Sequence, residues 1–138
     1  MEAPAKATTG ISGLVVPLRA ALHSGSAGQG RGVCRLAVTE APIDAFSLAA
    51  IEGPRADTLH LATGGGIGPG TVSALQHAIR AIAGYPGARL VAATDANRAG
   101  DRYAERLVEI AAGSGILVER LRPIRATDWN DMSQRKAD

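Results

Sequence analysis

The chain has 138 residues, 46% of them hydrophobic and 20% charged, with a formal charge of +2, which is enough sequence for one domain with its own core. No apolar run approaches the ~20 residues of a membrane span, and the start Met1-Glu2-Ala3-Pro4 lacks a signal-peptide core. The lone cysteine, Cys34, excludes a disulfide framework and a cysteine metal cage, so a reducing cytoplasm is the expected setting.

Residues 1–31 are expected to be a flexible N-terminal segment. Positions 1–10 are Ala-, Thr- and Lys-rich without pattern, and Ser24 to Gly32 is a Gly/Ser loop by composition. Between them Ile11 to Leu18 can form an edge strand, because Pro17 cannot donate to a central ladder. The domain proper is expected over 32–138. Cys34 to Thr39 reads as its first strand, ending at Glu40. Pro42 suits a first helical position, and Ile43, Phe46, Ala50 and Ile51 fall on one helical face before Gly53 and Pro54 stop the helix. Glu40 is thereby held at a strand's carboxyl end, either as a solvated loop carboxylate or as a functional group; it is a poor N-cap.

Asp57 to Ala62 is the second strand. The turn Thr63-Gly64-Gly65-Gly66 follows, before a helix that turns Val72, Leu75, Ile79 and Ile82 inward; such a turn lets backbone N–H groups approach a phosphate. It also fits the glycine pattern of short-chain dehydrogenases, but it follows the second strand and no Tyr-x-x-x-Lys pair exists. His60 and His77 lack the spacing of a metal pair and read as a strand residue and a helix-surface residue.

Arg89 to Ala93 is a third strand, continuously apolar and hence buried on both faces. Asp95 and Asn97 follow it, and Tyr103, Leu107, Ile110 and Ala111 mark a helix from about Asp101 to Ala112. Oxygen ligands two residues apart beside a helix N-terminus suit Mg²⁺ and a phosphate it carries; an Asx turn with a helix cap at Asp101 accounts for the same residues without a ligand. Of the 15 basic residues 13 are Arg, the side chain suited to forked phosphate contacts. Arg98, Arg102 and Arg106 share one helical stripe, as a phosphate guide or as a solvated face paired with Glu105 and Glu109. The four aromatics, Phe46, Tyr85, Tyr103 and Trp129, are too few for a base-stacking platform. Ile116 to Leu121 is the fourth strand, ended by Pro123, and Trp129 stands between acids in the tail as a core anchor.

Strand and helix patterns alternate, which implies βαβ units and a mainly parallel sheet. Glu40, the Thr63–Gly66 turn, Asp95 with Asn97, and Asp128 to Asp131 all fall just after strands, so they can share one rim.

On these residues the chain resembles the Toprim domain of primase-like proteins of plasmids, phages and mobile elements. Thr39-Glu40-Ala41-Pro42-Ile43-Asp44-Ala45 is similar to its glutamate motif, Thr63-Gly64-Gly65-Gly66 to its second-strand turn, and Asp95-Ala96-Asn97-Arg98-Ala99-Gly100-Asp101 to its Asp-x-Asp-x-Ala-Gly motif. Asp128-Trp129-Asn130-Asp131 is similar to a closing motif of the plasmid and phage branch. The resemblance implies a Toprim-like (Rossmann-like) sheet of about four strands flanked by helices. It implies Mg²⁺ or Mn²⁺ held by Glu40, Asp95 and Asn97, with Glu40 and Asp95 catalytic and Glu40 as general acid/base at a nucleotide 3′-hydroxyl. Gly64, Gly65, Gly66, Arg98 and Arg102 would meet phosphate. Asn97 stands where the family has a second aspartate, so a weaker metal site is expected unless Asp101, Asp128 or Asp131 restores the charge; Asn97→Asp is expected to tighten it. The implied function is primase-like nucleotidyl transfer in DNA replication. The alternatives are a Toprim nuclease and a non-catalytic module that binds nucleic acid or a partner. DNA, nucleotides and further domains or chains of a replication or mobilisation apparatus are the implied partners.

Overall fold

The computed structural model describes residues 32–137; the flexible segment and edge strand expected over 1–31 lie outside them. The elements run β1 (Arg35–Thr39), α1 (Pro42–Glu52), β2 (Thr58–Ala62), α2 (Pro69–Ile82), β3 (Arg89–Ala92), α3 (Arg98–Ala111), β4 (Leu117–Arg120) and α4 (Trp129–Ala137). The four strands form one parallel sheet in the order β2-β1-β3-β4, the architecture the alternating pattern predicts.

Side chains of the two central strands alternate between faces. Leu36, Val38, Leu90 and Ala92 pack with Leu75, Ile79, Leu107 and Ile110, so α2 and α3 cover one face. Ala37, Val91 and Ala93 pack with Leu48 and Trp129, so α1 and α4 cover the other. That double burial explains why β3 reads as a continuous apolar run and why β1 is apolar through Leu36, Ala37 and Val38.

Two helices depart from the expected pattern. In α1 the buried residues are Asp44, Ala45, Ser47, Leu48 and Ala49, whereas Ile43 and Phe46, expected on its apolar face, are 56% and 48% exposed. The helix is apolar on most sides, so its inward face is chosen by the surface it meets. That surface is built of Ala37, Ala93 and Trp129, and the Asp44 carboxylate faces α4, where its Oδ1 accepts the Asn130 N–H at 3.1 Å. The helix α3 starts three residues before the expected position because Asn97, not Asp101, is its N-cap. The tail forms α4, with Trp129 buried at 3% exposure, as expected of a core anchor, and its Nε1–H donating to the Ala93 carbonyl at 2.8 Å.

Candidate metal centre at the carboxyl edge of the sheet

The connections diverge between β1 and β3: β1 leads through α1 to β2 on one side, while β3 leads through α3 to β4 on the other. A parallel sheet opens a crevice at the carboxyl ends of such a strand pair. Glu40 follows β1 and Asp95 follows β3. Glu40 Oε2 accepts the Asp95 backbone N–H at 2.9 Å, joining two motifs 55 residues apart. The Glu40 carbonyl in turn accepts the Gly64 N–H at 2.8 Å. This N–H, expected at a phosphate, therefore holds the glutamate. Gly64 and Gly65 have φ of 78° and 129°, a backbone that side chains strain to adopt, and the Gly64–Gly66 turn is exposed.

Asp44 and Asp128 join Glu40 and Asp95 around a cleft of about 410 Å³. Asp95 Oδ1 is buried and has no hydrogen-bond partner. Burial first, then the charges of Glu40, Asp44 and Asp128, push the Asp95 carboxyl up to about 6 against the pull of Arg120. Burial likewise raises Asp44, although the Asn130 N–H opposes it.

Two residues of this site were not singled out from sequence. Asp44 carries no signal beyond its place in the glutamate motif. Arg120 reaches across from β4, where it sits in register with Ala92. Its Nη1 donates to the Ala92 and Thr94 carbonyls at 3.1 and 3.0 Å, and its Nη2 to the Asp95 carbonyl at 2.8 Å and to Asp101 Oδ1 at 2.9 Å. One guanidinium thus fixes the turn that carries Asp95.

Other expected site residues lie elsewhere. Asn97 is exposed and its Oδ1 accepts the Gly100 N–H at 2.7 Å; a helix start leaves such N–H groups unpaired, and Asn97 is the first side-chain oxygen able to serve one. Asp101 is bridged by Arg120 and Arg122 at 2.9 and 3.3 Å, and the Arg120 hydrogen bond holds its carboxyl below the ordinary range. Asp131 pairs with Arg135 at 3.3 Å and gives its N–H to Asp128 Oδ1 at 2.7 Å, so Asp128 both caps α4 and faces the cleft. Arg98 and Arg102 are exposed and make no hydrogen bond or ion pair among the described residues. His60 is buried with Nε2 on Glu52 Oε1 at 2.9 Å, and His77 is exposed on α2.

Among the described residues, no three acidic, His or Cys side chains stand close enough to enclose a metal ion ready-made. Mg²⁺ does not need such a cage. It keeps several waters and takes one or two carboxylates, which the unpartnered Asp95 oxygen beside Glu40 can supply. The residues present therefore fit the ion.

The raised Asp95 carboxyl sets a pH dependence. Its folded value, about 6, lies above the ordinary 3.8, so in chelator the folded state loses stability as pH rises through that window and the group ionises. Asp95→Asn is expected to gain about 1–2 kcal/mol at pH 7–8, after allowance for solvent screening in the open cleft. Urea denaturation of both proteins from pH 4 to 8 checks this; parallel curves would count against it.

A carboxylate cleft at the switch point of a parallel sheet, with α-helices on both faces, defines an α/β domain with an acidic carboxyl edge. The family model for Toprim-like domains matches residues 37–133, and the chain belongs to that family, whose members are Mg²⁺-binding domains associated with nucleic acids. No curated protein and no solved structure gives a match. No helix among the described residues is long and apolar enough to cross a membrane.

Proposed function

We propose that the chain is a metal-dependent catalytic domain of the cytoplasm whose reaction is primase-like nucleotidyl transfer on DNA. It would work with other domains or chains of a replication or mobilisation apparatus. The observation that carries this reading is the junction of Glu40 with Asp95 in a cleft of four carboxylates where one Asp95 oxygen has no protein partner.

Asp95 and Glu40 would hold Mg²⁺ or Mn²⁺, with Asp44 and Asp128 deepening the negative potential. When bound, the ion neutralises phosphate charge and makes a 3′-hydroxyl more acidic. Glu40 then takes the hydroxyl proton. Its main chain is tied to Gly64 and its carboxylate to the Asp95 N–H, so it is positioned before substrate arrives. The N–H groups of Gly65 and Gly66 and the side chains of Arg98 and Arg102 are the groups offered to phosphate. Asn97 favours a second reading, a non-catalytic nucleic-acid-binding module, since its oxygen caps α3 instead of adding to the cleft.

Calorimetric titration with Mg²⁺ and Mn²⁺ tests the site. Asp95→Asn is expected to weaken binding by about tenfold or more, as loss of one carboxylate charge requires. Asn97→Asp, expected from sequence alone to tighten binding, is now expected to change it less than about threefold, because its side chain serves the helix cap. Native-like affinity in Asp95→Asn would remove the cleft as the metal site. Metal-dependent incorporation of labelled nucleotides on a DNA template, lost in Glu40→Gln, separates transfer from the binding module.

A further inference from the structure

Beside the acidic cleft lies a second groove of about 430 Å³, lined by Ile67, Ala99, Arg102, Tyr103 and Arg106. Gly65 is the wall between the two. It lines the acidic cleft, and its carbonyl accepts the hydroxyl of Tyr103, whose ring faces the groove. Among the described residues the charges of this groove are little used by the fold. Arg35, Arg55, Arg89, Arg120, Arg122 and Arg135 are each paired with an acid. Arg102 makes no such pair among the described residues, and Arg106 makes only an exposed one with Glu109 at 3.3 Å. Two like charges one helical turn apart disfavour the empty helix by a few tenths of a kcal/mol, so an anion between them is the natural complement.

We propose that this groove seats the sugar–phosphate backbone of a single polynucleotide strand and leads it over Gly65 to the acidic cleft. Arg102 and Arg106 take successive phosphates and Ile67 packs on a sugar. The proposal rests on the reading of the cleft as the metal-dependent site. Residues four apart on a helix stand about 5–6 Å apart at Cβ, which suits neighbouring phosphates of one strand. A groove of this volume admits a nucleotide or two, not a duplex. Tyr103 directs its hydroxyl to Gly65 and the groove offers no other aromatic ring, so the strand is held by its backbone without base readout. The adjoining carboxylates repel the strand until a cation fills them, so Mg²⁺ strengthens binding.

The test is fluorescence anisotropy of a short labelled oligothymidylate with the full chain, in chelator, over a range of salt. For each of Arg102→Ala and Arg106→Ala the slope of log affinity against log salt is expected to fall by roughly 0.7, the value for one phosphate contact on a single strand. Arg80→Ala removes an equal charge from exposed α2 and is expected to leave the slope unchanged. A double variant with the native slope, an equal loss in Arg80→Ala, or tighter binding of a duplex of the same length would each overturn the proposal. Both arginines are exposed and alanine favours helix, so the variants keep the fold, which circular dichroism checks. Mg²⁺ titration of the double variant separates the two readings. Native Mg²⁺ affinity with an unchanged slope sinks the groove alone. A lowered slope in a chain that binds no Mg²⁺ sinks the cleft and leaves the groove.

Discussion

Gly100→Ala is expected to lose Mg²⁺ binding and to destabilise the domain by about 3 kcal/mol, the upper part of the usual range for overpacking. Gly100 lies buried in the first turn of α3, and a Cβ there would stand 1.9 Å from the Asp95 carbonyl oxygen, 2.6 Å from its carbon and 2.9 Å from its nitrogen. These are main-chain atoms and cannot rotate aside, so the turn after β3 has to move. That turn is held at the Asp95 carbonyl by Arg120 and at the Asp95 N–H by Glu40. Moving it breaks both contacts and misplaces both proposed ligands. Helix propensity alone predicts the opposite sign, a gain of about 1 kcal/mol for alanine over glycine. Urea denaturation in chelator, followed by Mg²⁺ calorimetry, decides between them; a variant at least as stable as the native chain would refute the packing argument.

Glu52→Gln is expected to cost about 3–5 kcal/mol, the range for removing one partner of a buried ion pair. Arg35 is 5% exposed; it holds Glu52 with both Nη groups, at 3.0 and 2.7 Å, and gives a further bond to Thr58 Oγ1 at 3.1 Å. His60 Nε2 lies 2.9 Å from the same carboxylate, ties β2 into the cluster, and leaves Nδ1 buried and unpartnered. Burial opposes the Glu52 charge, but the hydrogen bonds from His60 and Arg35, and then their charges, hold its carboxyl down to about 2 from 4.5. A depressed carboxylate contributes stability that is complete above its unfolded value and fades as pH falls toward its folded one. The native chain should therefore lose stability steeply between pH 4.5 and 2, and Glu52→Gln should flatten that limb. Coincident pH profiles would remove Glu52 from the account. Mg²⁺ affinity should stay near native, because Asp44 is the last residue of α1 on the cleft and about 12 Å of helix separates it from Glu52.

The carboxyl rim was legible because a parallel sheet sends every strand end to one side, so Glu40 and Asp95 needed only to follow their strands. The two central strands were legible because both-face burial leaves an apolar run in each, over 36–38 and 90–93. The inward face of α1 was not, since Ile43, Ala45, Phe46, Leu48, Ala49 and Ile51 offer apolar surface nearly all round and Trp129, 78 residues or more beyond each of them in sequence, decides which side packs. The same distance hides Asp44 as a cleft residue. Asn97 was ambiguous between ligand and cap because both roles ask for a side-chain oxygen just before a helix. The small, polar run Arg98-Ala99-Gly100 gave no apolar period to mark where the helix began. Arg120 had no local signal at all, because the Ala92, Thr94 and Asp95 carbonyls and the Asp101 carboxylate that it holds lie 19 to 28 residues before it.

The bond from the Asn130 N–H to Asp44 Oδ1 spans 86 residues, and the Ala96 N–H is closed by the Thr127 carbonyl, which gives the cleft a place in time as well as in space. Closing so long a loop follows the nearer strand pairings, since its entropy has to be offset before the contact forms. A chain still emerging from the ribosome would hold the β1–β3 core while its fourth carboxylate, Asp128, was unmade. In the mature fold the segment that carries these two bonds is expected to open before the β1–β3 core does. The Asn130 and Ala96 amides are accordingly expected to exchange faster than those of Leu36 and Val91, and a cation held in the cleft would slow both.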